Sequence, residues 1–350
     1  MTKEEKIIFA CGGTLGHILP AISMIKELRK IYLKEKIILI MTTKEKQYEF
    51  INNNRDIDEI YYYDIDGFNR KKLFRNIIGF LRIIKNSKRI KKVIKNSKLV
   101  IGMGGYISAV VLKLAHNLGI KTIIHEQNKI MGLANKMCLP FVDLVLCAFP
   151  LENVKKKTVM IGNPRMIEAF KKEKNVITNN HIVVTSGTLG SKTINDMIVR
   201  FLLDKRSHKY YTTLVKGKKY YDNTVKILEK VQGEHFVIKP FENDLLELLS
   251  NANIVISRAG AGTIFEIIGL AKPSILIPSP NVTNNHQYYN ALYISQRQGA
   301  KLLEEKDLTI DKLCEDIKEV INNSIIQDNL RKIRKEYNNN WIEEVENVRK

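Results

Sequence analysis

Two glycine turns carry the residue types that could cradle a phosphate. The first, Cys11-Gly12-Gly13-Thr14-Leu15-Gly16-His17, closes a short apolar run, and the second, Ser186-Gly187-Thr188-Leu189-Gly190-Ser191, closes another. Glycine lets backbone amides approach an anion, and a helix starting there adds partial positive charge. His17 follows the first turn directly, where an imidazole could serve as a general base or simply lie on the surface. A third junction, Arg258-Ala259-Gly260-Ala261-Gly262-Thr263, is followed by Glu266 one turn into a helix. That carboxylate could accept hydrogen bonds from the vicinal hydroxyls of a ribose, or partner the helix dipole.

Competing chemistries fit less well. A dinucleotide oxidoreductase needs glycine at position 11 and an acid after the second strand; Cys11 and Thr42-Thr43-Lys44 stand there instead. Asp64-Ile65-Asp66 could hold a divalent ion against a diphosphate, but no carboxylate cluster supports it and a solvated turn reads better. Cys11, Cys138, Cys147 and Cys314 show neither CxxC nor zinc spacing, so a reducing cytoplasm is expected.

The elements that position these residues are strands and helices in alternation. Ile7 to Ala10 precedes the first glycine turn and helical spacing runs from Ile18 to Leu28; Ile182 to Thr185 precedes the second, with helical spacing from Thr193 to Leu203. Further apolar runs, at Ile37 to Met41, Leu99 to Gly102, Lys121 to His125, Leu144 to Cys147, Thr213 to Val215, His235 to Ile238, Ile254 to Ser257 and Ser274 to Pro278, read as buried parallel strands. GTLG recurs near the half-length of the 350-residue chain. The expectation is an α/β protein of two Rossmann-like, doubly wound parallel-sheet domains, residues 1–162 and 163–350, facing a cleft, with the last helix able to return to the first domain. Ligands of such sheets bind beyond the carboxyl ends of the strands.

Composition narrows the partners. With 44% hydrophobic and 27% charged residues, the chain is neither disordered nor a multi-span membrane protein. No 18-residue apolar run or secretory signal core is present, so it is expected to be neither exported nor membrane-spanning. The net charge of +20 favours polyanions. Between Asp66 and Glu126 no acid occurs, while cations such as Arg82, Lys85, Lys88, Lys91 and Lys92 accumulate around Leu73, Ile77, Phe80, Leu81 and Ile84 at helical spacing. An aliphatic stripe rimmed by cations suits an anionic membrane surface better than nucleic acid; an ordinary packed helix is the plain alternative.

The ordered set GGTLGHILP, GMGGYISA, HEQNKIMGLANK, IGNPR, SGTLGS, SRAGAGTIFE and NHQYYNA, across residues 6 to 305, closely resembles the bacterial peptidoglycan N-acetylglucosaminyltransferases that convert lipid I to lipid II. The resemblance implies a GT-B fold, no cofactor or bound catalytic metal, and inverting transfer from UDP-N-acetylglucosamine to the 4-hydroxyl of N-acetylmuramic acid. It implies peripheral attachment to the cytoplasmic face of the cell membrane and contact with cell-wall synthesis and division proteins. By similarity His17 is the base, with Glu126 a weaker candidate. Thr14, Leu15, Gly16 and Asn128 approach sugar and phosphates from the first domain. Arg165, Thr188, Glu242, Ala261, Gly262, Thr263, Ile264, Phe265, Glu266 on ribose, and Gln287 make the donor set.

Four positions depart from the family pattern: Leu15 for Gly, Leu189 for Gln, Met166 for Arg and Ser186 for Gly. Arg165, one position before the usual arginine, is expected to reach the donor, and Leu15 to take an ordinary conformation. The competing functions are a diacylglycerol glycosyltransferase or UDP-sugar epimerase of the same fold, and a non-catalytic nucleotide binder at the membrane surface.

Overall fold

A computed structural model describes residues 5–65, 73–174, 180–187, 190–217, 235–321, 323–337 and 340–350, without the side chains of 73–78 and 80. Contacts divide the chain into two units, Met1–Pro164 with Asn338–Lys350, and Arg165–Tyr337.

In the first unit, seven strands form one sheet: β1 (Lys6–Ala10), β2 (Lys36–Thr42), β3 (Glu59–Tyr63), β4 (Leu99–Gly102), β5 (Lys121–Glu126), β6 (Leu144–Cys147) and β7 (Thr158–Met160). Their order is β3-β2-β1-β4-β5-β6-β7, every pair parallel. Alternation divides the apolar runs between two cores. Ile7, Phe9, Leu39 and Ile101 meet the helix Leu15–Arg29 through Ile18, Met24, Ile25 and Leu28. Ile8, Ala10, Ile40 and Val100 meet Ile90, Ile94, Ile107 and Val111 from the helices Leu73–Ile94 and Tyr106–His116. Both faces are covered, so the strands read as unbroken apolar runs. The helix Trp341–Arg349 sets Trp341 and Val345 into the first of these cores.

Among the described residues of the second unit, six parallel strands, β8 (His181–Thr185), β9 (Tyr211–Val215), β10 (Phe236–Lys239), β11 (Ile254–Ser257), β12 (Ser274–Leu276) and β13 (Lys301–Leu302), run in the order β10-β9-β8-β11-β12-β13. The helices Lys192–Leu203 and Ile310–Val320 cover one face through Ile194, Ile198, Phe201, Leu313 and Ile317. Three strands were not anticipated from sequence: β3, β7 and β13. All three lie at sheet edges, where partial exposure removes the continuous apolar signal.

Strand order reverses between β1 and β4, and again between β8 and β11. At such switch points the connections leave to opposite faces, and a crevice opens at the carboxyl ends of the central strands. The two glycine turns follow β1 and β8, and Met103-Gly104-Gly105 and Arg258-Ala259-Gly260 follow β4 and β11.

Candidate active site

The first crevice is shaped by the absence of side chains. Gly13 takes a φ of +92°, and Gly104 and Gly105 take +106° and +84°. A Cβ on Gly105 would stand 2.4 Å from the carbonyl oxygen of Gly12, and one on Gly104 would stand 2.7 Å from the His17 ring. The GMGGY motif is therefore the means by which the loop after β4 closes on the loop after β1 with an imidazole between them. His17 is half-buried, and its Nδ1 lies 2.9 Å from Gly12 O. Thr14 and Gly16 are exposed at the helix start, and Leu15 opens the helix in ordinary right-handed conformation, as expected. The left-handed residue of this turn is Gly13.

One acidic side chain here escaped the sequence reading. Glu45, in the turn Thr43–Gln47 after β2, is buried, accepting from Gly13 N at 2.9 Å and from Thr42 Oγ1 at 2.5 Å. An acid does follow the second strand, one residue beyond the stretch considered. Its oxygens are committed within the protein, so it offers no ribose clamp, and it withdraws the Gly13 amide from phosphate binding.

HEQN, at the end of β5, is a set of anchors. His125 is fully buried; its Nε2 meets Gly162 O at 3.0 Å, and burial pushes its pKa down to about 4. It is a neutral donor tying β5 to the IGNPR segment. Gln127 donates to Met103 O at 3.2 Å and accepts from Asn163 at 3.4 Å. Glu126 accepts from Asn128 N at 2.9 Å, Gly132 N at 2.9 Å, Asn135 Nδ2 at 2.8 Å and Asn128 Nδ2 at 3.4 Å. A carboxyl group enclosed by four donors organises the loop, and its oxygens are engaged within the protein. Asn128, half-buried, is the member of the motif nearest the surface.

In the second unit, the helix Ala261–Leu270 begins directly after Gly260. Ile264 N already bonds Gly260 O, which leaves the amides of Ala261, Gly262 and Thr263 as the orphan donors of the first turn. Ile264 and Phe265 are buried, with Phe265 edge-on to Tyr337, so their side chains belong to the core. Glu266 is buried, and burial raises its pKa against the opposing pull of Arg165. Arg165 Nε and Nη2 approach Glu266 Oε1 at 2.9 and 2.8 Å, and Nη1 approaches Glu168 Oε2 at 2.9 Å. In this structure all three guanidinium nitrogens of Arg165 approach these carboxylates. Gln287 is half-buried and accepts from Ser279 N at 2.9 Å. Glu242 is half-buried, and Lys239 at 2.6 Å holds its carboxyl below the usual range. Arg258 donates to Ile277 O and Ser191 Oγ and pairs with Glu305, bracing the junction. Thr188 and Leu189 lie outside the described residues.

Asp64 pairs with Arg82 at 3.1 Å, and Asp66 lies outside the described residues. On the helix Leu73–Ile94, Asn86, Ile90 and Ile94 are buried, whereas Leu81 and Ile84 are 58% and 53% exposed beside Lys85 and Lys88. The side chains of Leu73, Ile77 and Phe80 lie outside the description. No helix among the described residues is long and apolar enough to cross a membrane.

Residues 7–147 match the glycosyltransferase family 28 N-terminal domain, and residues 181–341 match the glycosyltransferase family 28 C-terminal domain. A protein of Bacillus cytotoxicus, named UDP-N-acetylglucosamine--N-acetylmuramyl-(pentapeptide) pyrophosphoryl-undecaprenol N-acetylglucosamine transferase, is 35% identical over 341 residues, 93% of each chain. The chain belongs to glycosyltransferase family 28. A second protein of the same name, from Halalkalibacterium halodurans, is 34% identical over 90% of each chain. Among solved structures, MurG of Acinetobacter baumannii superposes with a TM-score of 0.73 at 22% identity over 95% of each chain. The calicheamicin glycosyltransferase CalG4 gives 0.70 at 10% identity, over 99% of this chain and 98% of that one. These likenesses identify the two parallel-sheet units with the GT-B fold of family 28.

Proposed function

We propose that this chain transfers N-acetylglucosamine from UDP-N-acetylglucosamine to the 4-hydroxyl of the N-acetylmuramyl unit of lipid I, forming lipid II. The observation that carries the reading is the near full-length match to N-acetylglucosamine transferases named for that acceptor. Those names favour the muramyl acceptor over diacylglycerol and an enzyme over a passive nucleotide binder.

The chemistry asks for a base at the acceptor and a cradle for the departing diphosphate. His17 takes the proton of the 4-hydroxyl while that oxygen bonds the anomeric carbon and the bond to UDP breaks, with inversion and the electron pair leaving on UDP. Nδ1 lies against a carbonyl, which only accepts, so Nδ1 carries a proton and in the neutral ring Nε2 holds the lone pair. The first-turn amides at Ala261, Gly262 and Thr263 face the diphosphate, Glu266 takes the ribose hydroxyls, Gln287 the transferred sugar and the Glu242 backbone the uracil. Thr14, Leu15, Gly16, Asn128 and Thr188 complete the contacts.

The acceptor is lipid-linked, so the enzyme works at the cytoplasmic face of the membrane. Exposed Leu81 and Ile84 among cations support docking there by the helix Leu73–Ile94. Cell-wall synthesis and division proteins are the partners expected at that surface.

Incubation with sugar-labelled UDP-N-acetylglucosamine and either lipid I or diacylglycerol tests the reading. Label should pass to lipid I alone. Label in diacylglycerol, or in neither lipid, overturns it.

A further inference from the structure

We infer that Glu45 is a positioning residue for the transfer reaction, acting on His17 through the single peptide unit that joins Gly12 to Gly13. The inference rests on His17 being the base.

Glu45 is 3% exposed, and its carboxylate is held on both oxygens, by Gly13 N at 2.9 Å and Thr42 Oγ1 at 2.5 Å. The carbonyl of the same peptide unit, Gly12 O, lies 2.9 Å from His17 Nδ1. In a trans peptide the N–H and C=O point in opposite directions, and no peptide bond in the described structure is cis. A carboxylate on the N–H side and a ring donor on the C=O side therefore polarise one unit in the same sense. Hydrogen bonds in series strengthen one another this way.

Two consequences follow for the imidazole. The proton is fixed on Nδ1, which leaves the lone pair on Nε2 and selects the tautomer able to take a proton from the acceptor. When Nε2 takes that proton, the positive ring stands at the end of a chain that begins with a buried negative charge. A base oriented by a third group is the arrangement met wherever a side chain must be held ready for proton transfer.

The backbone around this chain is built for it. Gly13 sits at φ +92°, a conformation that turns its amide toward Glu45 at little strain only because no Cβ is present. The Gly12 carbonyl is approached so closely by Gly105 that a Cβ there would stand 2.4 Å away. Titratable groups around Glu45 include Lys44 and Lys46 in its own turn, Cys11 at the end of β1 and Tyr62 on β3, the last two with pKa values pushed up by burial; close to His17, burial pushes His125 on β5 down to about 4.

The test joins a spectrum to kinetics. Nitrogen-15 spectra of the histidines, with His17 assigned by its loss in His17→Ala, should show the Nδ1–H tautomer for the neutral ring. In Glu45→Ala the ring should become a tautomeric mixture, and kcat should fall by about 10- to 100-fold with KM for both substrates nearly unchanged. Glu45→Gln, whose carbonyl can still accept from Gly13 N, should restore the Nδ1–H tautomer and part, not all, of the loss in kcat. If Glu45→Ala does not fold, Glu45→Asp, one methylene short of the Gly13 amide, is read the same way. An Nε2–H tautomer in the wild type, or a folded Glu45→Ala with native kcat and an unchanged His17 spectrum, overturns the inference. His17→Ala separates the two levels: native turnover in that variant defeats the reading of His17 as base, whereas collapse there beside a silent Glu45→Ala defeats this inference alone.

Discussion

Arg165 holds Glu266 by one oxygen, with Nε at 2.9 Å and Nη2 at 2.8 Å from Oε1, while its third nitrogen turns to Glu168. Burial raises the pKa of this carboxyl while Arg165 pulls it the other way, and the two guanidinium nitrogens fix the direction in which the group points. Glu266→Ala should weaken UDP binding by about 2 to 4 kcal/mol, the worth of two hydrogen bonds to a carboxylate. Arg165→Met should leave the charge buried and unpaired, lowering stability by about 3 kcal/mol as well as weakening UDP binding. Calorimetry with UDP and thermal unfolding of both variants check this; native affinity in a folded Glu266→Ala refutes the ribose assignment.

Gly104→Ala would place a methyl 2.7 Å from the His17 ring at a backbone φ of +106°. The left-handed conformation costs an alanine about 1 to 3 kcal/mol, and the ring must move. Turnover should drop while UDP binding, assigned to the second unit, stays native. Parallel kinetics and calorimetry on one preparation decide it, and an unaffected kcat would show that the ring position is unimportant.

His125 predicts an acid-sensitive fold. Its pKa is lowered from 6.5 to about 4 by burial, so the unfolded chain binds the extra proton first as pH falls. The stability this group contributes is complete above about pH 6.5, is lost on descending toward pH 4, and amounts to about 3 kcal/mol. Between those values Tm of the wild type should fall more steeply than that of a folded His125→Gln. Parallel slopes would contradict the account.

Much of the fold was legible because interior parallel strands are continuous apolar runs: Leu99–Gly102, Leu144–Cys147 and Ile254–Ser257 were read to the residue. Edge strand β3, Glu-Ile-Tyr-Tyr-Tyr with one buried residue, has no such signature. Within the site, glycine turns advertise themselves locally, but Glu45 meets Gly13 across 32 residues, a pairing that only strand order creates. The same limit applies to Arg165, whose partner Glu266 lies 101 residues away.

Leu81 and Ile84 offer a test of membrane docking that leaves the core alone, because both are more than half exposed. Leu81→Ser with Ile84→Ser should reduce sedimentation with anionic vesicles at high salt, where the cationic contribution is screened, and leave UDP binding intact. Undiminished sedimentation of the folded double variant would place the membrane contact elsewhere.

The role proposed for His17 is to remove the acceptor proton during transfer of N-acetylglucosamine to lipid I. Single-turnover transfer from labelled UDP-N-acetylglucosamine, with lipid I in excess, measures that step apart from binding and release. His17→Ala should slow it by about 10² to 10⁴ while donor affinity stays native. A folded His17→Ala that transfers at the wild-type single-turnover rate would contradict the account.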